Sequence, residues 1–125
     1  MKDRADPLFR EGVEHFDAGR YYEAHESWED LWRTLEGQDR LFVQALIQAS
    51  VALHHLGRGN LAGAGQLARA TFSKLALLPA TNWGVDCESL AADLSLRLDP
   101  VLQGRPAEAS RGLPPIRLRV DSALP

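Results

Sequence analysis

The chain has 125 residues, 25% of them charged, and a net charge of -3. That length points to one domain, large enough to bury a core without a disulfide or a metal. The single cysteine, Cys87, excludes an internal disulfide, and no run of about 18 apolar residues is present to span a membrane.

The start, MKDRADP, is charged and no apolar signal region follows it, so a cytoplasmic protein is expected. Charge is unevenly spread. Residues 1–40 carry -5 and residues 41–125 carry +2, a field that favours a cation over a phosphate near the first half. The tail arginines, at 105, 111, 117 and 119, are spread out and partly balanced by Glu108 and Asp121. They make a poor nucleic-acid stripe, so no nucleic-acid partner is expected.

Asp6-Pro7 is a helix start, with a side-chain acceptor followed by a ring that fits the first turn. Leu8, Phe9, Val13 and Phe16 then recur at helical spacing, and Gly19 should end this first helix. A second helix is predicted from Tyr21 to Glu36, stopping at Gly37, with Tyr21, Ala24, Trp28, Leu31, Trp32 and Leu35 as its apolar stripe. Asp39 should cap a third helix from Arg40 to about Leu56. That helix is apolar almost all round and therefore central. Asn60 should cap a fourth, running to about Leu78. Residues 79–85 read as a loop. Asp86 should cap a fifth helix that Asp99-Pro100 ends.

The expected fold is all-α: a compact bundle of about five helices, built from two helical hairpins plus a fifth helix. It comprises a bundle domain, residues 1–98, and a proline-rich extended arm, residues 99–125. In the arm, Ile116, Leu118 and Val120 alternate with Arg117 and Arg119, the pattern of an extended segment. It could pack on its own chain or on a sister chain, which leaves room for a homodimer. Gly19 and Ala24 are matched forty residues later by Gly59 and Ala64, as two hairpins packed side by side would require. The first hairpin is tetratricopeptide-like in Gly12, Gly19, Ala24 and Trp28.

The chemistry concentrates in YYEAHESWEDLWRTL, residues 21–35. There His25 and Glu29 stand four residues apart, on one helix face, with Trp32 following and Tyr22 preceding. Such a pair has three uses. It can give two ligands to a divalent metal, act as a general base with an orienting partner, or form a satisfied polar contact. A metal site needs more than two ligands. The extra ones would come from His55, His54, Glu26, Asp86 or His15. Gln44 and Gln48, on the apolar third helix, need hydrogen-bond partners, because each costs about 1–3 kcal/mol if buried without one. They are expected to share a polar network with His25 and Glu29. The expected ligand-binding set is thus His25, Glu29, Trp32, Gln44, Gln48 and Tyr22. His25, Glu29 and more weakly His55 are the metal candidates, and the cofactor, if any, is a divalent metal ion. Cys87, near a helix start, is read as a small packing residue.

These residues resemble a known family. FREGVEHFDAGRYYEAHESWEDLWR followed by RLFVQALIQASVALHH is similar to the bacterial and archaeal family designated domain of unknown function 309. Its HxxxExx(W/Y) signature falls on His25, Glu29 and Trp32, and its glutamine run falls on Gln44, Leu46, Ile47 and Gln48. The resemblance covers about residues 8–78. It implies an all-helical fold and no known activity, with metal binding by the His and Glu only a suggestion. Two functions stay open: a small helical protein that binds a divalent metal or small ligand around His25 and Glu29, and a helical-hairpin protein-interaction module in which the His/Glu/Gln network is structural.

Overall fold

A computed structural model describes residues 2–105, 115–118 and 120. The order is α1 (Pro7–Asp17), α2 (Tyr21–Trp32), α3 (Gly37–Gly57), α4 (Leu61–Leu75), β1 (Thr81–Asn82), β2 (Val85–Asp86) and α5 (Cys87–Leu102). The fold is the expected all-α bundle. Each helix packs on the next in sequence: α1 on α2, α2 on α3, α3 on α4, α4 on α5.

Three of the four predicted caps form. Asp6 accepts from the Leu8 and Phe9 amides, Asn60 from Gly63 and Asp86 from Ser89. Each satisfies a helix N–H that has no partner within its own helix. The forty-residue repeat has a backbone cause. Gly19 and Gly59 both take positive φ, and in both places the following amide reaches back five residues: Arg20 to the His15 carbonyl, Asn60 to that of His55. This glycine-terminated helix end turns the chain into the next helix.

The first hairpin closes on Trp28. Its ring is fully buried, lies between Phe9 and Phe16, and donates Nε1–H to the Phe9 carbonyl at 3.1 Å. The indole fits only because residue 12 is glycine: a Cβ there would lie 2.1 Å from Trp28 Nε1.

Several boundaries differ from expectation. α2 ends at Trp32, where Thr34 Oγ1 donates to the Leu31 carbonyl and the chain turns toward Gly37 at positive φ. α3 starts three residues early and its N-cap position makes no side-chain bond. Asp39 does not cap it; instead it accepts from Trp83 Nε1 at 3.0 Å. α4 stops at Leu75, before Leu78. The expected loop holds a two-stranded hairpin, Thr81 opposite Asp86 and Asn82 opposite Val85. Trp83 and Gly84 make its turn, both at positive φ, as a tight hairpin requires. Trp83 adopts this uncommon backbone while edge-on to Phe9 at 5.1 Å and close to Phe42 at 5.9 Å. α5 does not end at Asp99-Pro100 but runs on to Leu102. Proline removes one intrahelical bond, to the carbonyl of Leu96, on a face where the Leu96 side chain is exposed.

In the tail, Ile116 and Leu118 are buried, Arg117 is exposed and Val120 is partly buried against the core. Leu118 N–H donates to Asp17 Oδ1 at 2.8 Å. Arg111, Arg119, Glu108 and Asp121 lie outside the described residues.

Gly12→Ala should lower unfolding free energy by about 2–3 kcal/mol, as overpacking of a full core does. Urea denaturation followed by tryptophan fluorescence measures it; an unchanged midpoint contradicts the packing described for Trp28.

Candidate functional site

With Trp28 turned inward, one flank of α2 faces outward, and on it Tyr22, His25, Glu29 and Arg33 follow at helical spacing. His25 Nδ1 lies 2.7 Å from the Tyr22 carbonyl oxygen. A carbonyl only accepts, so Nδ1 carries the hydrogen and donates it. His25 Nε2 lies 3.2 Å from Glu29 Oε2. Oε1 of the same carboxylate is 3.3 Å from the Arg33 guanidinium, which also holds Asp30 at 2.9 Å. The imidazole is mostly covered, with 17% of its side chain exposed, whereas Glu29 is 42% exposed.

Two consequences follow. Both ring nitrogens and both carboxylate oxygens have partners on α2 itself. And the His25–Glu29 contact is a hydrogen bond only when the ring carries both protons. In the neutral ring the Nε2 lone pair faces a carboxylate.

The other candidates are placed as follows. Tyr22 is 48% exposed; its ring is edge-on to His25 at 4.8 Å and near His54 at 5.3 Å. His54, from the end of α3, is thus the residue that α3 brings to the pair. Among the described residues no hydrogen bond joins Gln44 or Gln48 to His25 or Glu29; Gln48 Oε1 is buried without a hydrogen-bond partner there. Trp32 carries the Arg40 guanidinium over its ring at 3.9 Å, and its buried Nε1 has no partner among the described residues. His55 faces the α3–α4 corner, where Asn60 Nδ2 donates to its Nδ1 at 3.1 Å. His15 accepts from Arg20 Nε at 3.0 Å, and Glu26 is exposed. Asp86 is occupied as a cap.

Among the described residues the His25–Glu29 pair has no third metal ligand. The Tyr22 carbonyl orients His25 as metal-bound histidines are oriented. However, Arg33 places a positive charge on the carboxylate, and no group of three His, Cys, Asp or Glu suited to a metal exists among the described residues.

Sequence reasoning missed Arg33, and it offered His54 only as a possible extra metal ligand, not as the neighbour of Tyr22 that it is. Arg33 had a signal, the i, i+4 spacing from Glu29. His54 had none, because its place depends on how α3 docks. Burial pushes the His54 pKa down; the Arg58 guanidinium, with His55 and His25 nearby, pushes the same way and Glu23 opposes them. Cys87 is buried and accepts from Asn82 Nδ2 at 3.4 Å. Burial pushes its pKa up despite that bond, with Asp86 adding to the rise, so the thiol is held protonated as a packing residue. A cavity of about 330 Å³ is lined by Phe72, Leu75, Leu78, Pro79, Cys87 and Glu88, among others, and by nothing from α2 or α3. No described helix is long and apolar enough to cross a membrane.

Residues 9–67 match the model of the family described as domain of unknown function (DUF309), so the chain is similar to that family over this helical segment. No curated protein matches the chain.

Because the folded pKa of His54 lies below its ordinary 6.5, the unfolded chain takes up that proton first. Stability should therefore fall as pH drops from about 7 to about 5.5. His54→Asn should flatten part of this slope in urea midpoints measured across that range; an equal slope in the variant contradicts the assignment.

Proposed function

We propose that this chain is a helical-hairpin protein-interaction module in which His25 and Glu29 brace α2 and bind no ligand of their own. One observation carries the reading: each polar atom of the pair lies within 3.3 Å of Tyr22, Arg33 or the other member of the pair. A general base needs a free lone pair aimed at a substrate, and the Nε2 lone pair of the neutral ring is aimed at Glu29 instead. The sequential packing of helices joined by matching glycine turns is the architecture of hairpin modules. Exposed Tyr22 gives the flank a large amphipathic ring, of the kind enriched at interfaces.

A second reading, divalent-metal or small-ligand binding, draws on one feature. In the neutral ring, Nε2 and Glu29 Oε2 point two lone pairs at each other across 3.2 Å, a span that two adjacent metal ligands also adopt. It requires Arg33 to leave and further ligands to come from outside the described residues.

Thermal melts separate the two. Under the interaction reading, His25→Ala and Glu29→Ala each cost about 1 kcal/mol or less, a few degrees in Tm, since exposed pairs contribute little. A series of divalent ions leaves the wild-type Tm unchanged. A rise in wild-type Tm with one ion, absent in both variants, contradicts this reading and establishes the second.

A further inference from the structure

Among the described residues, Ile116 and Leu118 join the core from outside any helix or hairpin, as Leu35 does from the link between α2 and α3. Ile116 is 3% exposed and Leu118 2% exposed, yet residues 115–118 form no helix or strand. Alternation explains the pattern: in an extended chain every second side chain faces one way. Ile116 and Leu118 turn inward with Val120 partly following, while Pro115 and Arg117 are exposed. A backbone donor ties the segment to the bundle: Leu118 N–H donates to Asp17 Oδ1 at 2.8 Å. Asp17 closes α1. Its carboxylate acts on the half-buried Tyr21 hydroxyl, as does Arg97 of α5, so the ends of α1 and α5 and the start of α2 converge here. Arg97 Nη2 is buried there without a hydrogen-bond partner among the described residues.

Such a cleft recognises two features that many peptides share: an amide N–H, and aliphatic side chains at alternate positions. We infer that the cleft holding Ile116 and Leu118 is a binding groove for extended protein segments of the pattern aliphatic-x-aliphatic, and that this chain's own tail fills it as a tethered competitor. The tail itself shows what chemistry the groove accepts. This names a partner class for the interaction reading and rests on it, but the test leaves His25 and Glu29 untouched, so the two fail separately. A tether supplies an effective concentration on the order of millimolar. A groove with a dissociation constant on the order of 100 μM is then about tenfold harder to fill from outside.

The probe is a fluorescent peptide with the sequence of residues 113–121, LPPIRLRVD, read by anisotropy. In the full chain, the double substitution Ile116→Asp with Leu118→Asp should free the groove and tighten peptide binding about tenfold over wild type. Adding Asp17→Ala should weaken it severalfold. A peptide with both aliphatic positions changed to serine should not bind. A folded double variant that binds the probe no better than wild type overturns the inference, as does equal binding of the serine peptide. If the double variant loses its helical circular dichroism, a protease site is placed within residues 107–113 of the wild-type sequence and cut after folding. The nicked protein should then exchange its tail for the probe, and failure to exchange overturns the inference. A dimer of the intact chain that free probe dissociates makes a second copy the occupant and overturns the partner assignment.

Discussion

Trp28 seated on Gly12 is the contact on which the rest depends. It sets how deep α2 lies on α1, and its Nε1–H to the Phe9 carbonyl sets the register. Phe9 then carries the arrangement onward: its ring touches Phe42 of α3 and Trp83 of the hairpin. Trp83 in turn ties down Asp39 in the first turn of α3. One aromatic cluster thus fixes α1, α2, α3 and the link between α4 and α5. A residue as large as tryptophan buries enough area to dominate a core of this size.

That inward turn leaves the opposite flank of α2 to polar chemistry. Tyr22 O, His25, Glu29, Arg33 and Asp30 form a continuous chain of contacts along one helix. Spacings of three and four residues make such a chain possible, and its exposure keeps each link weak. A closed chain of this kind stiffens a helix edge and presents Tyr22 in a defined place. It holds little chemistry in reserve, and a mechanism that needs a free imidazole must first break it.

Much of this was legible in the sequence because it is local. Asp6, Asn60 and Asp86 cap helices with atoms two or three residues away, and Gly19 and Gly59 turn the chain by their own φ. The His25–Glu29 contact follows from helical spacing alone. What failed was non-local. Asp39 looked like a cap, but its partner Trp83 lies forty-four residues on. Residues 79–85 read as a loop because a two-residue strand has no periodicity to detect, and the turn begins on a tryptophan. The glutamines were expected to meet His25 across the α2–α3 interface; among the described residues no hydrogen bond joins them, and Gln48 Oε1 is buried without a partner there. Pro100 suggested a stop, yet losing one bond did not outweigh continued packing of α5.

The account turns on how the His25 ring is held, and nitrogen chemical shifts of that imidazole test it most directly. With ¹⁵N-labelled protein, Nδ1 should read as protonated across the neutral pH range, because the Tyr22 carbonyl fixes it, and equimolar zinc or manganese should leave both ring nitrogens unmoved. A ring with unprotonated Nδ1, or an Nε2 signal displaced or broadened selectively by the metal, would contradict it.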